Sequence, residues 1–433
     1  MASPPPRPDH LVVRAATPRA APDRGVSPIA TSTAGTANGA AATDSTAAAG
    51  AAAPPPPRIL GGLAELFPPP PAPRPYDALL LDQFGVLHDG TTAYPLAPAA
   101  VAAAAAAGVH LLILSNTSRR SAEALAKLPT LGFPPSTPWA GAVTSGELAH
   151  AELVGHPSDY TGAAVLHTNW VGRGGVPLPE TGLVPVGADA AAAELLLTHG
   201  TEGVTVAGGD GSVVEALPYD DLVALVTSVA RRGGGDGGSD GGSDGGSDGG
   251  DDSSRGSRRR VAARHRRPPR PGLGIDPSAP PVLLCANPDI VTVDGPALRP
   301  MPGALAAAYE AAGGPVVRLG KPAPPPYAAA LAVLAERGVT DARRVLAVGD
   351  SVGHDVRGAA DAGIDSLWVG GGIHAERVGL CHADAGDDGL GREGRDGAGG
   401  KGWELDAAAL ADVCAEEGMG DRRPTYAIPF FRW

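Results

Sequence analysis

A doubly wound α/β fold, with a second α/β unit inserted into its parallel sheet, is what this sequence predicts. Two observations lead there. Short apolar runs recur along the chain, and several end abruptly on a polar group: Ala78-Leu-Leu-Leu-Asp82, Val109-His-Leu-Leu-Ile-Leu-Ser115-Asn116, Pro315-Val-Val-Arg-Leu-Gly-Lys321 and Arg344-Val-Leu-Ala-Val-Gly-Asp350. Helix-forming, Ala-rich stretches alternate with them. Apolar runs bounded by turn formers read as buried parallel strands, and open α/β sheets place their chemistry beyond the carboxyl ends of such strands.

With 433 residues and 43% hydrophobic content, the chain can bury more than one core, which suggests two to three domains. The formal charge of −13 and pI near 5.3 argue against a general nucleic-acid binder. No apolar run approaches the ~18 residues of a membrane span, so no membrane partner is expected. The three cysteines, Cys285, Cys381 and Cys414, lack metal-site spacing and point to a reducing compartment.

Residues 1–57 are built of Ala, Pro, Ser, Thr and Gly with scattered arginines, too poor in apolar surface to fold. Such a leader resembles an organelle transit peptide, which makes the chloroplast the expected location, ahead of mitochondrion or cytoplasm. The segment Ile59 to Phe67 reads as a short helical lead-in to the Asp82 strand. The Ala99 to Ala107 run supplies a helix stopped by Gly108, and Ser118 to Leu128 the next, closed by Gly132. Trp139 to Val143 is a third strand, after which Thr144-Ser-Gly-Glu147 fits an N-cap opening a helix.

From about residue 151 to 289 a second unit is expected: strands at Ala163 to His167, Leu195 to Thr198, Val204 to Val206 and Val282 to Cys285, with a helix from Tyr219 to Arg231. Within it, residues 233–280 carry a Gly-Gly-Ser-Asp repeat and then an arginine run from Arg255 to Arg270, the composition of a flexible loop. That run offers the one route to RNA or anionic lipid, although a solvated segment facing its acidic neighbour is the simpler reading. The first unit resumes over 290–433, with a helix from Pro302 to Ala312, the Lys321 strand, a helix from Pro326 to Arg337, the Asp350 strand, a helix from Asp355 to Ala362 and a strand from Ser366 to Gly370. Residues 384–400 are another Gly-rich loop, whereas the aromatic ending Pro424 to Trp433 should pack back on the domain.

In this order the polar strand ends resemble the four motifs of the haloacid dehalogenase superfamily. More narrowly they resemble its class IIA branch, which inserts an α/β cap between the second and third motifs. The stretch Gly349-Asp-Ser-Val-Gly-His-Asp-Val-Arg-Gly-Ala-Ala-Asp-Ala-Gly-Ile-Asp365 is the most specific part, and the resemblance runs from about Arg58 to Trp433. It implies a Rossmann-like core over 58–150 and 290–433 with the cap at 151–289. It further implies that Asp82 attacks phosphorus to form an aspartyl-phosphate, and that Mg²⁺ is held by Asp82, the Phe84 carbonyl and Asp350, with Asp355 acting through water or fixing the site. An all-oxygen set suits that ion. Ser115 and the Asn116 backbone would bind the phosphoryl oxygens, and Lys321 would neutralise them. The implied partner is a small phosphorylated molecule, with a homo-oligomer through the cap allowed for.

One position departs from the pattern. Superfamily phosphatases carry a second aspartate two residues after the nucleophile, which protonates the leaving group, and here that position is Phe84. The loss removes a contribution commonly worth about 10²- to 10⁴-fold, so the expectation is a slow phosphatase, with a catalytically impaired phosphate-binding protein as the alternative. His88, Asp89 and His354 are the nearby groups able to substitute as proton carriers. Arg119 and Arg120 could clamp a second anion; in the cap His167, Trp170 and Arg173 form a polar-aromatic cluster; Asn287 and Asp289 either face substrate or close a turn.

Overall fold

Three of the four apolar runs, those ending at Asp82, Ser115 and Asp350, become central strands because both of their faces are buried, whereas the run before Lys321 becomes an edge strand on which Val317 is exposed. The computed structural model describes residues 55–69, 71–178, 180–206, 213–231, 279–294, 297–380 and 405–433. The leader up to residue 54, nearly all of the 233–280 insert, Cys381 and the 384–400 loop lie outside them.

The first sheet contains β1 (Arg58–Ile59), β2 (Ala78–Leu81), β3 (His110–Ser115) and β4 (Trp139–Thr144). The second contains β5 (Ala164–Asn169), β6 (Val184–Pro185), β7 (Leu195–Thr198), β8 (Gly203–Thr205), β9 (Val214–Ala216), β10 (Leu283–Cys285) and, after a hairpin of β11 (Val291–Asp294) and β12 (Ala297–Pro300), β13 (Val316–Arg318). The chain then returns to the first sheet with β14 (Val345–Gly349), β15 (Asp365–Val369) and β16 (Tyr426–Ile428). The first sheet runs β1-β16-β15-β14-β2-β3-β4 with every pairing parallel. The second runs β13-β10-β7-β5-β8-β9, with β6 also on β5 and only β8 and β9 antiparallel to their neighbours.

Alternation along the central strands feeds two cores. Leu79, Leu81, Leu111, Ile113, Leu346 and Val348 face one layer, which includes α1 (Ala97–Ala106). Leu80, Leu112, Leu114, Val345 and Ala347 face the other, which includes α7 (Pro324–Ala335). In the second sheet Leu166, Leu196 and Leu283 pack on α5 (Tyr219–Arg231) and α6 (Pro302–Ala311), while Val165, Leu197 and Leu284 pack towards α3 (Ser145–Gly155). Thr144 caps α3 as its sequence predicts, its Oγ1 accepting from the Glu147 N–H at 3.1 Å.

Register sets the site. Val348 pairs with Leu81 and Leu81 with Ile113, so the carboxyl ends of β14, β2 and β3 come level side by side. Asp350, Asp82 and Ser115 sit on those ends.

Several elements differ from expectation. Helix α6 and strand β13, read as the restart of the first layer, belong to the second sheet, since β13 pairs with β10. A strand as short as Val-Val-Arg carries no local mark of which sheet it will join. The helix expected from Asp355 to Ala362 divides into a π turn, Val352–Val356, and α8 (Arg357–Asp361). The lead-in contributes edge strand β1 followed by a 3₁₀ turn at Leu63–Leu66, and the aromatic C-terminus contributes β16. Trp433 stacks on Phe67, with ring centroids 5.6 Å apart, and ties the C-terminus to the 3₁₀ turn ahead of β2. Among the described residues, no helix is long and apolar enough to cross a membrane.

Candidate active site

The polar groups at the strand ends converge on one lysine. Lys321 Nζ lies 2.9 Å from Asp82 Oδ1 and 2.6 Å from Asp355 Oδ1, with its side chain 3% exposed. Asp350 completes the group: each of Asp82, Asp350 and Asp355 offers a carboxylate oxygen within 4.8 Å of the others. The supporting contacts are dense. Asp82 Oδ1 also accepts the Gln83 N–H, Asp355 Oδ2 accepts the Ser351 N–H at 3.1 Å, and Asp350 Oδ2 accepts the Ile373 N–H at 2.7 Å. Tyr327 donates its hydroxyl to the Asp355 carbonyl, and Trp368 Nε1 donates to the Asp350 carbonyl. Gly85 adopts a φ of +77°, and a Cβ there would stand 1.8 Å from Asp350 Oδ2. The Phe84–Gly85 backbone therefore runs hard against the carboxylates, an approach only glycine permits.

Asn116 locks the neighbouring loops. Its Oδ1 accepts the Lys321 N–H at 2.7 Å, and its Nδ2 donates to Asp289 Oδ1 at 2.8 Å. Ser115 is buried beside it at the end of β3.

Three carboxylates share one ammonium, and their electrostatics record the imbalance. Burial pushes the Asp82 carboxyl up, to about 7, against the pull of Lys321. Burial, followed by the charges of Asp82 and Asp355, holds Asp350 well above the ordinary aspartate range. Burial works to lower the Lys321 ammonium, but Asp355 and Asp82 outweigh it and keep it firmly protonated. Crowded, buried carboxylates with excess negative charge form an oxygen donor set suited to a hard divalent cation.

Of the proton carriers read from sequence, Asp89 is occupied as a turn former, its Oδ1 accepting the N–H groups of Thr91 and Thr92 at 2.7 Å each. His88 is buried, and its Nδ1 accepts the Gly90 N–H at 3.0 Å. Burial, then the Lys127 charge, lowers it to about 4, so it is neutral at physiological pH. Phe84 stands over it edge-to-face, centroids 4.9 Å apart, with 37% of its own surface exposed. His354 lies 3.3 Å from Asp289 at the rim.

The proposed anion clamp divides. Arg120 is held by Glu147 through two contacts of 2.9 and 2.8 Å, whereas Arg119 is exposed. The cap cluster divides too: Arg173 lies 4.6 Å above the Trp170 ring, but His167 turns inward, between His199 at 2.8 Å and Thr205 at 2.9 Å. Asn287 closes a turn by accepting the Asp289 N–H, while the Asp289 carboxylate reaches Asn116. Cys285 and Cys414 are buried free thiols. Sequence reading misses Tyr327, Trp368, His199 and the Ile373 amide, all of which act from outside the motifs and leave no local signal.

Residues 79–169 match the family model described as haloacid dehalogenase-like hydrolase, and residues 318–385 match one described as HAD-hydrolase-like. Among solved structures, the chain is similar to a haloacid dehalogenase-like hydrolase from Brucella suis 1330, at 24% identity and a TM-score of 0.53 over 86% of this chain and 100% of that one. It is also similar to a protein from Cytophaga hutchinsonii described as a possible sugar phosphatase of the HAD superfamily, at 15% identity and a TM-score of 0.50 over 86% and 98%. No curated protein sequence matches it.

Proposed function

Because this chain belongs to the haloacid dehalogenase-like hydrolases, we propose that it is a Mg²⁺-dependent phosphatase of small phosphorylated molecules, working through an aspartyl-phosphate on Asp82. The observation that carries this reading is the placement of Lys321 Nζ between Asp82 and Asp355, with Asp350 inside the same cluster. A phosphate monoester is a dianion, so a carboxylate nucleophile needs positive charge beside it. Lys321 supplies one such charge from protein. Mg²⁺ on Asp82, the Phe84 carbonyl and Asp350, with Asp355 one step removed, would supply the rest by shielding the phosphoryl oxygens.

The residues then divide the work. Asp82 forms a bond from its carboxylate oxygen to phosphorus as the ester oxygen leaves with its electron pair. Ser115, the Asn116 backbone and Lys321 hold the phosphoryl oxygens. Water attacks the acyl phosphate, releases inorganic phosphate and regenerates the carboxylate. The departing alkoxide must find a proton, and the position from which relatives of this mechanism supply it carries Phe84. Turnover is therefore slow and favours esters of acidic alcohols.

The test is turnover of a panel of phosphate monoesters by the full chain with Mg²⁺, together with acid-quenched mass analysis of the Asp82 peptide. Phosphorylated Asp82, with activity lost in Asp82→Asn, supports the proposal. A wild-type protein that binds phosphate but stays at the Asp82→Asn background on every ester overturns it, and Phe84 then marks a phosphate-binding protein without catalysis.

A further inference from the structure

Arg119, Arg173 and Lys127 belong to three segments that pack near the strand ends carrying Asp82 and Ser115. Arg119 follows β3 on the loop that carries Ser115 and Asn116. Arg173 lies beyond β5 in the cap, and Lys127 ends α2 (Ser121–Lys127). Contacts tie these segments to their neighbours. Ser118 Oγ donates to the His199 carbonyl at 2.6 Å, and Gly200 packs so tightly on the Asn169–Trp170 peptide that a Cβ there would lie 2.3 Å from Asn169 C. The loops bearing Arg119 and Arg173 are thereby seated on the same turn, His199–Gly200. Lys127 Nζ donates to the Gly90 carbonyl at 2.6 Å, and Gly90 closes on Phe84 so nearly that a Cβ added to it would stand 2.8 Å from the ring. Lys127 is thereby tied to the Phe84 side of Asp82.

In keeping with these contacts, burial first and then the charges of Arg119 and Arg173 lower the Lys127 ammonium, against the pull of Asp89. Like charges are held together here without being neutralised. Among the described residues, the Arg119 guanidinium makes no hydrogen bond or ion pair, and Arg173 only stacks on Trp170. Acids lie close but are committed elsewhere. Asp89, which faces Lys127, spends its carboxylate on Thr91 and Thr92. Glu202 Oε2 accepts the Val171 and Gly172 N–H groups at 2.7 Å each, and Asn169 Oδ1 accepts those of Trp170 and Val176. These bonds fix the loop and leave its guanidinium free. Arginines held this way, with forked donors unused, are arranged to meet a carboxylate or phosphate.

We propose that Arg119, Arg173 and Lys127 form a second anion subsite, so that the substrate is a phosphate ester bearing another acidic group, either a carboxylate or a second phosphate. This rests on the phosphatase reading for which group is transferred. Arg119 and Arg173 are specificity-determining: they hold the distal anion from core and cap together, while Asp82 acts on the proximal phosphoryl group.

Three alkyl phosphates of equal length, ending in a carboxylate, a phosphate or a hydroxyl, test it by kcat/KM with Mg²⁺, alongside an aryl phosphate. Wild-type protein should prefer one acidic terminus over the hydroxyl by about ten-fold or more, and the preferred terminus identifies the anion. Arg119→Gln and Arg173→Gln should each erase most of that preference while changing turnover of the hydroxyl-ended and aryl esters less than two- to three-fold. Equal losses on all esters would reveal a merely structural role, and absence of any preference would likewise overturn the subsite. Calorimetric binding of the matching non-hydrolysable phosphonates separates the two proposals. Discrimination in binding without turnover sinks the phosphatase reading alone, and turnover without discrimination sinks the subsite alone.

Discussion

On the proposed mechanism, replacing Phe84 with aspartate puts an ionisable group where the leaving oxygen would depart, and its consequences can be worked out from the ring's surroundings. The ring is 37% exposed and meets His88 edge-to-face at 4.9 Å, so Phe84→Asp forfeits one aromatic contact and partial burial. An aromatic pair contributes about 0.5–1.5 kcal/mol and a fully buried Phe about 3–5, so for a ring buried over roughly two-thirds of its surface a loss of about 2–3 kcal/mol is expected, below the ~5–15 kcal/mol that holds a domain folded. General acid–base assistance commonly contributes about 10²- to 10⁴-fold. A part-exposed carboxylate is mostly ionised near neutrality and must carry its proton for the acid step, so about ten-fold is a conservative gain. The assay compares an aryl with an alkyl phosphate. Both should accelerate, the alkyl ester more because its alkoxide needs the proton more, and the optimum should move towards acid pH. A folded, Mg²⁺-binding Phe84→Asp protein with neither the rates nor their ratio changed would refute the claim that position 84 limits turnover.

Other expectations follow from the same contacts. Asp350→Asn should weaken Mg²⁺ binding ten-fold or more in calorimetry and Asp355→Asn less, because Asp355 is already engaged by Lys321 and the Ser351 amide; equal losses contradict this assignment. His88, lowered to about 4, refuses a proton that the unfolded chain accepts near pH 6.5. Its contribution to stability is complete above pH 6.5 and shrinks as pH falls towards 4, by at most about 3 kcal/mol. His88→Asn, which can still accept from Gly90, should flatten the fall in Tm between those pH values; an unchanged slope would place the acid sensitivity elsewhere, with His167 and His199 the first candidates. Exchanging residues 233–280 for a short Gly-Ser linker should leave Tm within a few degrees, and a collapse of folding would show the segment to be structural.

Much of this was legible where local pattern and tertiary role coincide. Leu195–Thr198 and Tyr219–Arg231 match their sequence-predicted bounds because a fully apolar run and an amphipathic helix each state their own burial. Asp82, Lys321 and Asp350 could be placed because each stands directly beyond an apolar run. What escaped depends on partners distant in sequence. Nothing near Val316–Arg318 records that β10 is its neighbour, nothing near His167 announces His199, and Arg120 looks free until the fold brings Glu147 to it. Tyr426–Ile428 was recognisable as packed through its aromatic company, but its pairing with β15 is set by the sheet edge and not by its own residues.

The membership of β13 in the second sheet gives Lys321 a mechanical role. Arg318 ends that strand, and Leu319 and Gly320 alone separate it from the lysine. Asn116 grips the lysine from the other layer through the Lys321 amide. The ammonium paired with Asp82 thus sits on a short tether between two layers. On the proposed mechanism, any rocking of one layer on the other would reach the Lys321–Asp82 contact within three residues, so that the spacing of the two sheets and the charge beside Asp82 would change together.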